Sequence, residues 1–287
     1  MATHNSVQMY GFLKSNPVII RDSEHSDIIN QIIMPMTIVR RNNISYNGPI
    51  DSDVIILCDS PEQINEVKNY KQYDVITLKG VLAFAQQPMI FKCQSCNKDS
   101  YDVNNATSTA FIYPIWINKI NSYEVEALGN DTREGDFNKP IEVLSKNYAE
   151  VSNQVYLMGT LVRDPEYIEN GHSSYCKFPI GCNRKYFIST QNGIKADYPW
   201  VYIYGQDAEK VMSHLHFQSV VFIDGFIRDM RIEKDVCCNY CNFTQKKKVV
   251  RCDIIPYSIE FLSNYDKDEI EKKEESSLID KLSDFIV

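Results

Sequence analysis

Two cysteine pairs in this chain have the spacing at which thiolates share a metal ion: Cys93 and Cys96 in KCQSCNKD, and Cys238 and Cys241 in DVCCNYCNFTQKKK. Each pair supplies half of a tetrahedral zinc shell, and four sulfurs leave no open position for water, so such a metal is structural. Three arrangements are open. Cys93, Cys96, Cys238 and Cys241 form one composite zinc site; Cys237, Cys238, Cys241 and Cys252 form a local one, or the ligands come from two chains; or the thiols stay reduced and unliganded. The composite site is favoured, because adjacent Cys237 and Cys238 point in opposite directions in extended chain and Cys252 alternates with Val250 and Ile254 as a core residue does. Nine cysteines is an odd number, and in a reducing compartment metal binding or core packing fits better than disulfides. Cys58, Cys176 and Cys182 sit alone among apolar, strand-like residues and read as small buried hydrophobes. His4, His25, His172, His214 and His216 lie outside both cysteine segments, so sulfur ligands alone are expected.

The elements that must bring the pairs together follow from an internal duplication, which has to be sought early because missing it misreads the fold. NSVQMYGFLKSNPVI at 5–19 aligns with NQVYLMGTLVRDPEYI at 153–168, placing Gly11 over Gly159 and Pro17 over Pro165, an offset of 148. IIMPMTIVRRN at 32–42 aligns with CKFPIGCNRKY at 176–186. YDVITLKGVLAF at 73–84 lies over QSVVFIDGFIRD at 218–229 with an offset of 145, and the same offset carries Cys93 onto Cys238 and Cys96 onto Cys241. Each unit reads as alternating apolar strands, one short helix, then further strands. In unit one the helix opens SPEQINEV, with Ser60 as cap and Pro61 at the first helical position; in unit two it is QDAEKVMSHL. Three strands, a helix and two strands describe an OB barrel. The expected fold is therefore all-β with short helices: two tandem OB-fold barrels, each with a CxxC-bearing long hairpin between its fourth and fifth strands. Its parts are OB unit one at 1–120, an acidic linker at 121–150, OB unit two at 151–263 and an acidic tail at 264–287.

VYLMGTLVRDPEY, FPIGCNRKY, WVYIYGQDAEKV and VFIDGFIRDMR, in that order and spacing over nearly all of 153–263, resemble the successive strands of the bacterial single-stranded DNA-binding protein family. Unit one is similar, mainly through its likeness to unit two. The resemblance implies an OB-fold protein that coats single-stranded DNA, largely without sequence preference, during replication, recombination or repair. A dimer would present four OB units, the number the family typically assembles. The rival reading is a primosome or replisome adaptor that uses OB faces for protein contacts.

Single strands are held by basic grooves that follow phosphates and by aromatic faces on which bases stack, at ~1–3 kcal/mol per stacked base. Unit two offers Arg163, Arg184, Lys185, Arg228, Arg231, Lys246, Lys247 and Lys248 among Tyr156, Trp200, Tyr202, Tyr204 and Tyr240; unit one keeps Arg40 and Arg41. Strand alternation sets Trp200, Tyr202 and Tyr204 on one face and Val201 and Ile203 on the other. The resemblance places the family's stacking aromatics near Trp200 and Tyr204. Where unit two has WVYIYG, unit one has VIILCD, which carries no ring and adds Asp59.

Net charge is −8, which by itself argues against nucleic acid, but the sum divides into −1 for 1–120, −4 for 121–150, +1 for 151–263 and −4 for 264–287. The acidity sits in linker and tail. That tail ends in Asp284, Phe285, Ile286 and Val287, similar in chemistry to the acidic, apolar-tipped tail with which the family recruits replication and repair proteins. An amphipathic helix through Leu278, Ile279, Leu282 and Ile286 is the other reading of the segment. No run of eighteen apolar residues occurs and MATHNSVQMYG lacks signal-peptide character, so the expected location is cytoplasmic and nucleoid-associated. No phosphate-cradling loop, zinc-protease motif or nucleophile elbow is present, so no enzyme activity is expected.

Overall fold

A computed structural model describes residues 4–40, 50–120, 137–170, 173–184 and 196–263. Arg41, Lys185 and the tail residues Asp284, Phe285, Ile286 and Val287 lie outside the described residues. Unit one runs β1 (His4–Leu13), β2 (Val18–Arg21), β3 (Ile29–Arg40), β4 (Ile50–Cys58), α1 (Pro61–Val67), β5 (Val75–Lys92) and β6 (Asp99–Lys119). After α2 (Asn138–Tyr148), unit two runs β7 (Asn153–Leu161), β8 (Glu166–Asn170), β9 (Ser173–Asn183), β10 (Ala196–Asp197), β11 (Trp200–Tyr204), α3 (Gln206–His214), β12 (Val220–Cys237) and β13 (Thr244–Ser263).

Each unit closes on itself. In unit one β1 pairs β3 and β5, β3 pairs β4, β4 runs parallel to β6, and β6 returns to β5. In unit two β7, β9, β11, β13 and β12 repeat that circuit, again with one parallel contact, Val201 beside Ile254. The short strands β2 and β8 add a flap on β3 and on β9. Ser60 caps α1 by accepting from the Gln63 amide at 3.3 Å, with Pro61 at its first position.

The two barrels are not beads on a string, because β1 and β7 pair antiparallel and merge them into one sheet. The register sets Val7 opposite Val155, Asn5 opposite Leu157 and Met9 opposite Asn153. Those partners exchange under the 148-residue offset, so Val7 and Val155 lie on a pseudo-twofold axis, as in an isologous dimer whose halves share one chain. Buried asparagines repeat across the axis. Asn5 donates to the Leu82 carbonyl at 2.7 Å and accepts from its amide at 3.0 Å, and Asn153 does the same with Ile227 at 2.8 and 2.9 Å. Each amide side chain thereby takes the place of a ladder partner beyond the bulge at which β5 and β12 leave their barrels.

Those bulges fall at Gly80 and Gly225. A Cβ there would lie 2.6 Å from the Tyr113 carbonyl oxygen or 2.4 Å from that of Ile255, closer than packed atoms approach, so only glycine lets the neighbouring strand in. Beyond them the β5–β6 and β12–β13 ladders continue to Lys92 opposite Asp99 and to Cys237 opposite Thr244. The acidic linker is structured in part: α2 lays Leu144 against Phe12, Val39, Tyr73 and Val75 of unit one, and Tyr148 stacks on Tyr10 with centroids 5.2 Å apart.

Asn153→Ala strands the amide and carbonyl of Ile227 in the core. Since each orphaned buried group costs about 1–3 kcal/mol, urea unfolding is expected to report a loss of about 2–4 kcal/mol.

Candidate functional site

The outer face of unit two carries a lattice of rings and cations built from β9, β11 and β13. The ladder sets Tyr175 opposite Tyr204, Lys177 opposite Tyr202 and Pro179 opposite Trp200. Trp200 is half-buried, with the Arg163 guanidinium 4.4 Å and the Lys177 ammonium 5.3 Å from its centroid. Arg251 lies 4.3 Å over Tyr202, and Arg228 lies 4.7 Å over Tyr204 while donating to its hydroxyl. Tyr175 packs against Tyr202 and Tyr204 at 6.1 and 5.5 Å. Cations at these distances are held by the ring quadrupole.

A buried carboxylate organises the lattice. Asp253, with no exposed surface, receives the Arg251 guanidinium through both oxygens at 2.5 and 2.8 Å and stands 3.6 Å from Arg228. Burial alone would lower the Arg251 pKa, but the hydrogen bonds and charge of Asp253, together with Tyr202 and Tyr204, outweigh it and the net shift is upward. Burial also pushes the Tyr202 phenol up, so the ring stays neutral.

The sequence row needs correction at its centre. Tyr202 shares the outer side of β11 with Trp200 and Tyr204 but is only 3% exposed, because Arg251 and Tyr175 cover it. Arg184 is corrected as well: its side chain is buried in a two-pronged ion pair with Asp197 at 2.5 and 2.7 Å, where it holds the fold apart from the exposed lattice. Asp197 accepts in turn from the Phe84 amide of unit one at 3.0 Å, so that pair fastens the units. Arg40 also faces across the units, 4.2 Å over the Phe226 ring.

Other predicted residues lie apart from the lattice. Tyr156 stands on the seam between Ser6 and Asp224, and burial followed by the Asp224 charge raises its phenol. Arg231, Lys246 and Lys248 are exposed on the β12–β13 arm with Glu233 and Asp235 interleaved, and Lys246 reaches Glu233 at 3.9 Å. Lys247 turns to the other side, opposite Lys234. Tyr240 is exposed at the arm's tip, with Lys98 of unit one 5.1 Å over its ring. Lys177, Arg251 and Tyr175 escaped sequence reasoning. The alternation of β9, with Cys176 and Phe178 inward and Tyr175 and Lys177 outward, was the available signal for two of them.

At the arm tips the four paired cysteines meet. Cys93 Sγ lies 3.6 Å from Cys241 Sγ, and Cys96 Sγ lies 3.7 Å from Cys238 Sγ. These two contacts are mates under the pseudo-twofold axis, and all four sulfurs lie within 4.8 Å of one another. A tetrahedral zinc thiolate with bonds of about 2.3 Å has sulfur–sulfur edges of about 3.8 Å, whereas a disulfide needs about 2.05 Å. The turns that carry them are twins. The amides of Cys93 and Cys238 donate to Lys98 and Phe243 at 2.9 Å, and Asn97 and Asn242 adopt positive φ of 57° and 55°. Between the tips, the Gln94 amide donates to Gln245 at 2.8 Å and the Asn239 amide to Ser100 at 3.0 Å, again as mates.

The chemistry of the thiols divides accordingly. Burial pushes Cys58 and Cys182 up to about 12 and Cys176 to about 11, the behaviour of inert core thiols. At Cys238 burial also opposes ionisation, but hydrogen bonds from Ser100, from the Tyr240 and Cys241 amides and from Cys93 outweigh it and bring the thiol down to about 6. Cys241 goes the other way: the Phe243 amide favours its thiolate, but burial and the hydrogen bonds it shares with the other three cysteines raise it to about 11. The four clustered residues suit a soft divalent ion.

Residues 152–254 match the Single-strand binding protein family. That span takes in unit two from β7 into β13 and contains every residue of the ring-and-cation lattice. Among solved structures, the wild-type single-stranded DNA binding protein from Thermus aquaticus superposes with a TM-score of 0.57 at 11% identity, over 93% of this chain and 96% of that one. A deletion mutant of the same protein gives 0.56, also at 11% identity, over 92% and 98%. At that identity the likeness establishes the fold, including the tandem arrangement of both units. No curated protein sequence matches the chain. No helix among the described residues is long and apolar enough to cross a membrane.

Arg184→Ala leaves Asp197 as a buried, unpaired charge. Breaking such a pair costs about 3–5 kcal/mol, so thermal unfolding should shift strongly downward, while affinity for any ligand of the lattice, measured below the new melting point, stays the same.

Proposed function

We propose that the chain binds and protects single-stranded DNA, largely without sequence preference, and that unit two carries the strand. The observation that supports this most is the face on which Trp200, Tyr175 and Tyr204 interleave with Arg163, Lys177, Arg251 and Arg228. Every base has a π-face, so rings accept any sequence, and cations set between rings match a backbone that passes a phosphate at each base. The cations arrive already aimed: Glu166 holds Lys177 at 2.9 Å and Arg163 at 3.4 Å, and Asp253 holds Arg251. A phosphate that replaces the exposed Glu166 contacts releases those two side chains, whereas the Asp253 bonds are buried and persist.

The arm cysteines are proposed to hold one structural zinc ion through Cys93, Cys96, Cys238 and Cys241. The ion would lock the two hairpins and fix the angle between the units. The acidic tail ending in Asp284, Phe285, Ile286 and Val287 is proposed to recruit replication or repair proteins, and two chains are proposed to associate so that four OB units act together.

Titrating the tryptophan fluorescence with oligothymidylate should show quenching and salt-sensitive binding, weakened by about 1–3 kcal/mol in Trp200→Ala. Absence of quenching and of salt-sensitive binding in the unaltered protein contradicts the reading. Asp253→Asn removes a negative charge from beside the strand, so simple charge counting expects tighter binding. If Asp253 positions Arg251 and Arg228, affinity instead falls by about tenfold, near 1.4 kcal/mol, with the fold retained by circular dichroism.

Native mass spectrometry should find one zinc per chain, lost in Cys93→Ser and in Cys238→Ser. Zinc retained by Cys93→Ser would move the site wholly into unit two.

A further inference from the structure

The duplication lets the two outer faces be compared position by position, and they have diverged in chemistry. Where unit two carries Lys177, Trp200 and Arg251, unit one carries Ile33, Ile55 and Thr109; Arg228 corresponds to Ala83 and Tyr204 to Asp59. The cations that would follow a phosphate backbone are absent from these positions. The flap β2 extends the apolar character, with Val18 54% and Ile20 40% exposed and Val18 opposite Ile33. An outward apolar surface of this kind on a folded chain marks a binding site more often than chance exposure.

At the edge of this face, where it meets the arm of unit two, lies a cavity of about 290 Å³. Its walls are mostly apolar, among them Pro35, Ile55 and Val250, and Asp53 and Asp229 stand at its rim. The cavity has a physical origin. Unit two fills the positions of Asp53, Ile55 and Thr109 with Tyr198, Trp200 and Arg251, so the smaller residues of unit one leave the space of an aromatic ring. The rim carries two carboxylates and one cation, Lys14, which is already paired with Asp53. Asp229 accepts from the Asp53 amide at 2.8 Å, and burial raises its pKa by more than that bond and the Lys14 charge lower it.

We propose that the outer face of unit one docks a segment of a partner protein that is apolar and basic, with one large side chain filling the cavity and a neighbouring cation meeting Asp229. Charge complementarity selects this occupant, since an acidic rim over an apolar wall repels phosphate and attracts Lys or Arg. Among the described residues β2 ends the sheet with one unpaired edge, which suits an extended segment that would add a strand. Unit two thus holds the nucleic acid, and unit one holds a protein beside it.

The probe is a fluorescein-labelled peptide alternating arginine with isoleucine around a central tryptophan; its control keeps the arginines and replaces the apolar residues with serine. Fluorescence anisotropy is read on the full chain, alone and saturated with oligothymidylate. The peptide should bind at least about tenfold more tightly than the control, and saturation with oligothymidylate should not displace it. Ile55→Trp, which closes the cavity, and Asp229→Asn, which removes the rim charge, should each weaken the peptide by about tenfold or more and leave the melting temperature and oligothymidylate affinity unchanged. Equal binding of peptide and control overturns the proposal, as does displacement by oligothymidylate or a loss of oligothymidylate affinity in Ile55→Trp. The competition arm rests on the reading of unit two. Failure of oligothymidylate to bind at all sinks that reading and leaves the peptide comparison standing.

Discussion

The antiparallel pairing of β1 with β7 about Val7 and Val155 is the constraint on which the remaining architecture depends. It turns two barrels into one sheet and relates them by a pseudo-twofold axis. Once that axis exists, a contact between Cys93 and Cys241 requires its mate between Cys96 and Cys238, and the amide bonds of Gln94 and Asn239 follow in the same way. Buried Asn5 and Asn153 fix the strands beside the axis, and glycine bulges let both arms depart from it. A one-residue slip of β1 against β7 would turn Val7 and Val155 outward and separate the cysteine pairs, so the seam and the thiol cluster specify one another.

Duplication under symmetry also frees the units to differ. The core positions Val7, Leu82 and Ile112 have counterparts in Val155, Ile227 and Ile254, and all six are buried. Outer positions carry no such obligation. Unit two sets rings and cations around one buried carboxylate, while the matching positions of unit one are mainly aliphatic, with acids at the rim. One scaffold therefore presents two chemically distinct faces, held at the seam by the β1–β7 ladder and at the arm tips by the Gln94–Gln245 and Asn239–Ser100 hydrogen bonds.

Much of this was legible in the chain. The 148- and 145-residue offsets gave the two barrels, and the CxxC pairs at matching positions gave the four sulfurs, because local periodicity and spacing carry both. What stayed hidden depends on contacts between distant residues. Tyr202 alternates outward as expected, yet Arg251, nearly fifty residues later, lies over it. Arg184 reads as a free cation until Asp197 is brought beside it from another strand. The β1–β7 seam has no sequence signature at all, since its strands read as ordinary members of their own barrels. The linker reads as acidic and polar, and only its packing against Phe12 and Tyr73 shows why Leu144 belongs to the core.

The central claim is that a single strand lies on unit two and not on unit one. Photo-cross-linking of the full chain to oligothymidylate carrying iododeoxyuridine, followed by peptide mapping, tests it most directly. Adducts should concentrate on the peptides that hold Tyr175, Trp200 and Tyr204. Adducts on the β4 peptide containing Ile55, at a yield equal to those on β11, would contradict it.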